Sequence, residues 1–160
     1  MRRKDREITD RSGLEKIFKS CQVCRLGLID GDQPYVVPLN FGYDWQGEKP
    51  IIYLHCATEG YKLDLIAQNA KVCIEMDCDH EIEAGPMACD YNFNYASIIG
   101  FGQAVLLKSY AEKRQGLECL MQHIAGPGPH HFPDNLDQIA VLRVELTSFS
   151  GKRRVGMNSR

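Results

Sequence analysis

Two rhythms of apolar residues alternate along the chain. Behind the charged stretch 1–10, Leu14, Ile17, Phe18 and Cys21 recur at three- and four-residue intervals after Ser12-Gly13-Leu14-Glu15. This capping-box sequence predicts a helix over about 12–21. The rhythm then changes to short apolar runs bounded by turn residues. Arg25–Ile29 followed by Asp30-Gly31 reads as a strand and hairpin turn, with Pro34–Tyr43 returning beside it. Residues 44–50 form a loop and Ile51–Cys56 a third strand. Leu63 and Ile66 mark the apolar stripe of a helix with Thr58 as its N-cap, and Lys71–Asp77 is a fourth strand. Residues 78–94 have no clear period and contain Gly85-Pro86, which predicts a long loop. Tyr95–Leu107 is one long strand bent at Gly100 and Gly102. Ser109-Tyr110-Ala111-Glu112 is a second capping box, opening a helix in which Leu117, Leu120, Met121 and Ile124 share a face; Gly126-Pro127-Gly128-Pro129 stops it. Gln138–Leu146 is the last strand, and Gly151-Lys152-Arg153-Arg154 closes the ordered part.

Six strands, mostly antiparallel, with three helices between them predict a mainly β fold with α: a small, closed or partly closed β-barrel forming a single domain over 1–160. Two local features point to chemistry. Proline cannot donate to a ladder, so Pro38 belongs on an edge or at a bulge, where neighbouring backbone is free to bond something else. After Tyr53-Leu54-His55-Cys56 the chain enters a helix whose first turn carries Lys62. Unpaired N–H groups, the positive end of the helix dipole and a lysine converge there, which makes an anion site, with phosphate the natural guest.

Composition narrows the classes. The 160 residues, 44% hydrophobic and 25% charged, suit one globular domain, and a formal net charge of −2 exerts no long-range pull on nucleic acid or anionic membrane. No nucleic-acid or membrane partner is expected. No apolar run reaches the roughly 18–20 residues of a membrane span, and the N-terminus lacks the apolar core of a signal peptide, so a cytoplasmic location is expected.

Seven cysteines are an odd count, and several lie inside apolar runs, which favours reduced thiols. Cys21-Gln22-Val23-Cys24 has metal or redox spacing, but Cys73 and Cys78 do not supply a matching second pair, and no metal is expected. His123, His130 and His131 flank the Gly-Pro loop and read as solvent-exposed histidines rather than ligands. Gly100 and Gly102 lie mid-strand rather than before a helix, so they are bend residues and not a dinucleotide fingerprint. His55 is open to a plain strand-end role or to proton donation and anion binding.

Taken together, Met1–Ile8, Cys24–Leu28, Pro34–Tyr43, His55–Lys62 and Ser97–Gly102 resemble, in order, the pyridoxamine 5′-phosphate oxidase-like FMN-binding split-barrel proteins, most closely their Nim-type, 5-nitroimidazole-resistance-related branch. The resemblance runs through nearly the whole chain. It implies a six-stranded antiparallel split barrel and a homodimer with two flavin sites at the subunit interface. It implies FMN as cofactor, with FAD as the alternative, its phosphate near Lys62 and the Ala57-Thr58 backbone and its ring along Val37, Pro38, Leu39, Asn40 and Phe41. Tyr95 and Ser97 begin the strand beside the cofactor, and His55 is the candidate catalytic residue, a proton donor or substrate contact.

The implied activity is that of a flavin-dependent oxidoreductase passing electrons to a small-molecule substrate, a nitroaromatic among the candidates. A flavin-storing or sensing protein without efficient turnover is the alternative, and haem binding on the same barrel a third reading. Tyr61 stands where the oxidases proper carry an arginine, which weakens the case for pyridoxamine phosphate oxidation.

Overall fold

Residues that alternate inward and outward along a strand can close a sheet on itself when each inner face fills one shared core. The computed structural model, which describes residues 3–154 and 156, does this with strands β2 (Val23–Asp30), β3 (Gln33–Asp44), β4 (Ile51–Cys56), β5 (Lys71–Glu83), β6 (Asn92–Leu106) and β7 (Ala140–Arg154). Met1 and Arg2 of the first resembling stretch lie outside the described residues.

All pairings are antiparallel, in the order β7-β4-β3-β2-β5-β6, and β6 returns to β7 to complete the ring. A short strand β1 (Glu7–Ile8) pairs with Lys152 and Gly151 of β7, on the edge that β4 occupies nearer the start of that strand. The ring has thin seams. β2 meets β5 only over Arg25–Gly27, and β3 meets β4 only from Phe41 opposite Leu54 to Asp44 opposite Ile51. The expected six-stranded split barrel is therefore present, with β1 as an addition.

The inner face holds Cys24, Leu26 and Leu28 of β2, Ile52 and Leu54 of β4, Val72, Ile74 and Met76 of β5, Ala96 and Ile98 of β6, and Leu142, Val144 and Leu146 of β7. Helix α1 (Arg11–Ser20) adds Leu14, Ile17 and Phe18, and α2 (Tyr61–Gln68) adds Leu65 and Ile66. Each large side chain buried this way contributes about 1.5–3 kcal/mol. Helix α3 (Tyr110–Ala125) packs outside the ring, where Leu117 joins Tyr53 and Val141. Its approach is close: a Cβ on Gly42 of β3 would stand 2.3 Å from the Leu120 backbone nitrogen.

Several sequence expectations are corrected. Asp10, not Ser12, caps α1: its carboxylate accepts the Gly13 N–H at 2.7 Å and the Ser12 hydroxyl at 2.9 Å, while Glu15 pairs with Arg11. Gly60, not Thr58, is the N-cap of α2, because the chain turns there at φ 143, which disfavours any other residue. Residues 78–94 are mostly strand. A register shift between Cys78 and Glu81, with Asp79 at φ 58, breaks the alternation, and beyond it Glu81–Glu83 pair with Asn92–Asn94, of which only Asn94 is buried. Only the segment 84–91, with a single 3-10 turn at Ala88–Asp90, is loop.

β7 runs to Arg154 rather than ending at Leu146, its pattern masked by a second shift where β6 passes Phe101/Gly102. That shift falls at the expected glycine bend. Pro38 sits opposite Arg25 in an unbroken ladder, so no bulge occurs; its freedom comes from lying on an edge that β4 does not reach.

Candidate functional site

The seam between β3 and β4 creates the site. From Asn40 back to Val37, β3 keeps β2 on one side and has no β4 on the other, leaving the Val37–Asn40 backbone with an unpaired edge. The alternation turns Val37 and Leu39 toward the barrel interior and leaves Pro38 and Asn40 exposed, and the Asn40 amide donates to the Gln22 carbonyl at 3.0 Å. Phe41 is fully buried, so only its backbone is available there.

Across the gap, β4 ends at Cys56 and Ala57 and Thr58 lead, both exposed, to α2. The start of that helix is tied to the β2–β3 hairpin: the Tyr61 hydroxyl donates to Asp30 Oδ2 at 2.5 Å, and the Tyr61 ring meets Tyr35 edge-on with centroids 5.3 Å apart. The first backbone bonds of α2 run from the Leu63 and Asp64 N–H groups to the Gly60 carbonyl. No side chain caps the terminus, which leaves the Tyr61 and Lys62 N–H groups aimed outward. Lys62 folds back over it, with Nζ 3.8 Å from the position a Cβ on Gly60 would take. A bare helix start, a glycine cradle and the Lys62 ammonium beside them fit a phosphate group.

The remaining candidates lie differently. Cys56 feels the positive charge of Lys62, although burial dominates and pushes its thiol pKa up. His55, the preceding residue, is exposed and points to the opposite face, that of Tyr53. Tyr95 and Ser97 are remote from both. Ser97 lies opposite Lys152 of β7, whereas His55 lies opposite Val141, eleven residues earlier on the same strand. That is about 36 Å of extended chain. One copy of the chain thus unites the β3 edge with Ala57, Thr58 and Lys62 but does not bring Tyr95 and Ser97 to them.

Other polar groups escaped the sequence reading. Arg25 reaches Glu75 at 3.3 Å and also bonds Asp77, which is paired with His80. Charged residues at alternate outward positions, Glu75 and Asp77 within an apolar run, were the available signal. His123 is neither on a loop nor exposed: it lies in α3, bonds the Cys21 carbonyl through Nε2 at 2.7 Å and packs against Phe41 and Tyr43. His130 is also half-buried, 3.2 Å from Glu118. Cys21 and Cys24 are buried free thiols, and burial pushes Cys24 up to about 12. Among the described residues no group of three His, Cys, Asp or Glu side chains is placed to hold a metal, and no helix is long and apolar enough to cross a membrane.

The outer face of the barrel is apolar beside the site. Ile29, Pro34, Val36, Cys73 and Phe101 line an open depression of about 640 Å³. Val36 and Phe101 are 56% and 55% exposed.

Known proteins share this architecture. A candidate 5-nitroimidazole antibiotic resistance protein from Bacteroides thetaiotaomicron matches with a TM-score of 0.78 at 28% identity, over 92% of this chain and 86% of that one. An FAD- and haem-binding protein from Mycobacterium smegmatis matches with a TM-score of 0.80 at 16% identity, over 94% and 74%. An FAD-binding protein from Mesorhizobium loti matches with a TM-score of 0.64 at 19% identity, over 92% and 96%. The last two share the fold. No curated protein matches the sequence. The family profile described as pyridoxamine 5′-phosphate oxidase matches residues 10–153, nearly the whole chain, and the protein therefore belongs to that family.

Proposed function

We propose that the protein is a homodimeric flavin-dependent oxidoreductase that binds FMN and reduces a small acceptor of the nitroaromatic class. The uncapped start of α2, with Lys62 folded over it beside the unpaired β3 edge, carries this reading. The Tyr61 and Lys62 N–H groups and the Lys62 ammonium hold the phosphate, and free backbone at Val37–Asn40 orients the polar edge of the ring. Bound FMN supplies two-electron transfer between a donor and the acceptor. His55, exposed at the end of β4, offers a proton or a hydrogen bond to the acceptor. The description of the Bacteroides neighbour supports the acceptor class, and the FAD-binding neighbours support a flavin.

Two observations support a dimer. The exposed apolar face of β3, β2, β5 and β6 needs covering, and Tyr95 and Ser97 reach a flavin only if a second copy presents them. Because two neighbours are described by the flavin they bind, a binding or electron-storing role is the second reading.

Purified protein should show a flavin absorption spectrum or acquire one on adding FMN; failure to bind any flavin refutes the proposal. Lys62→Ala should weaken FMN about 10- to 150-fold, the loss of a charged hydrogen bond of about 1.5–3 kcal/mol, and leave riboflavin unaffected. In anaerobic stopped-flow, fast reoxidation of reduced protein by nitro compounds supports catalysis, and uniformly slow reoxidation supports storage.

A further inference from the structure

Helix α3 gives way to Gly126-Pro127-Gly128-Pro129, and the segment that follows folds back along the helix. Three contacts fix it there. The Tyr110 hydroxyl donates to the Pro133 carbonyl at 3.1 Å, the Lys113 ammonium donates to the Leu136 carbonyl at 3.0 Å, and His130 Nδ1 meets Glu118 Oε1 at 3.2 Å. Between helix and segment lies an open depression of about 730 Å³, lined by Tyr110, Arg114, Gln115, Glu118, His130 and His131. Ala111 and Pro129 give it an apolar wall.

Tyr110, Arg114 and Glu118 follow one another at four-residue intervals, so they share a stripe of α3 and rise about 6 Å per step. Arginine and glutamate at that spacing ordinarily pair, yet Arg114 takes no part in the bonds of Glu118. Oε1 of that carboxylate is occupied by His130 Nδ1 and by the Gln122 amide at 3.3 Å. An ionised carboxylate only accepts, so Nδ1 carries the shared hydrogen and Nε2, an acceptor in the neutral ring, is the polar atom left over. Only 13% of the His130 side chain is exposed, which leaves the ring little room to turn. Tyr110 has likewise spent its hydrogen on Pro133, and its oxygen keeps lone pairs for a donor. The depression thus combines a guanidinium that Glu118 does not neutralise by contact with two acceptors that lack donors.

We propose that this depression binds a small hydroxylated monocarboxylate, a hydroxy acid with a short carbon chain. Arg114 takes the carboxylate on its planar fork, His130 Nε2 and the Tyr110 oxygen accept from the hydroxyls, and the carbon chain lies against Ala111 and Pro129. One guanidinium balances one carboxylate, whereas a dianionic phosphate would bring a second, uncompensated charge toward Glu118. The wall is tied to α3 before a ligand arrives, so binding has little left to order. None of these residues belongs to the start of α2 or to the β3 edge, and the site stands whether or not those hold a flavin.

The probe is gluconate, titrated into the full chain labelled with nitrogen-15 and followed by backbone amide and histidine ring resonances. Hexanoate keeps the carboxylate without the hydroxyls, sorbitol keeps the hydroxyls without the carboxylate, and inorganic phosphate is the other oxyanion. Gluconate should shift resonances in 110–118 and 129–131, including His130 Nε2, and bind about tenfold or more tightly than each of the three. Arg114→Gln should weaken it about tenfold or more, and Arg114→Lys, which keeps the charge but not the fork, should weaken it less. His130→Phe should reduce the preference for gluconate over hexanoate. Arg114 is exposed, so its variants keep the fold, which an unchanged far-ultraviolet spectrum checks. The proposal is overturned if gluconate moves no resonance of the depression, if Arg114→Gln binds it unchanged, or if hexanoate or phosphate binds as tightly. Displacement of gluconate by FMN would put it at the other site and overturn the proposal as well.

Discussion

Gly60→Ala should unseat the start of α2 through the backbone alone. Gly60 has φ 143 and ψ 155, a region open essentially only to glycine, and forcing an alanine there costs about 1–3 kcal/mol. The added methyl would itself be harmless, since its nearest neighbour, Lys62 Nζ, is 3.8 Å away. At roughly 3 °C per kcal/mol for a chain of this length, the melting temperature should fall by about 3–9 °C. Any relief of the strain rotates the Tyr61 and Lys62 N–H groups off their present aim, so FMN retention should fall as well.

The control is Gly47→Ala. Its new methyl meets nothing within 4 Å, and its backbone is outside the left-handed region, so its stability should change by no more than about 0.5 kcal/mol. Thermal unfolding followed by circular dichroism, with and without FMN, separates the two effects. Equal melting of the two variants would refute the backbone account of α2. A lower melting temperature with unchanged FMN affinity would remove the phosphate from this terminus.

Two further outcomes are expected. Phe101→Asp places a charge in the middle of the apolar face, and because a symmetric interface repeats each residue, losing two buried phenylalanines at about 1.5–3 kcal/mol each should weaken a dimer by about 10²- to 10⁴-fold. Sedimentation equilibrium should find monomers with an unchanged far-ultraviolet spectrum; a persistent dimer would exclude this face. Burial pushes the His123 pKa below its ordinary value of about 6.5, so the unfolded chain takes up a proton first as pH falls. The stability that neutral His123 contributes is complete above that value and declines as pH drops toward the folded pKa. Urea midpoints should therefore lose ground between neutral and mildly acidic pH in the wild type and lose less in His123→Phe, and identical slopes would rule the histidine out.

Much of this barrel was legible because its informative strands are buried on one side. Ile51–Cys56 and Lys71–Met76 alternate or run apolar with turn residues around them, and Ser109 with Glu112 caps α3 as its sequence suggests. The errors fall where burial stops instructing. Beyond Cys78 the β5–β6 hairpin buries only Asn94, a polar residue, so its residues carry no apolar period. Past Leu146, β7 changes register and then lies beneath α1: a Cβ on Gly151 would meet Leu14 Cδ2 at 2.2 Å, so glycine stands where a strand pattern asks for bulk. Both helix starts were misplaced by two residues or fewer for a common reason, that the capping geometry belongs to the backbone turn and several polar residues compete for it.

By itself the sequence determined the strand and helix periods, the presence of a proline-bearing strand and of a helix start with a lysine in its first turn, and the family to which both belong. These are local or nearly local properties, written in side-chain spacing and turn chemistry. Tertiary structure decided which edge of β3 stays unpaired, since that depends on where β4 parts from it. It also decided that His55 shares the outer face of Tyr53 rather than the barrel interior and that Lys152, distant in sequence, stands over the Tyr95 ring. Such facts follow from register and ring closure, which a one-residue slip would reverse and which no single segment encodes.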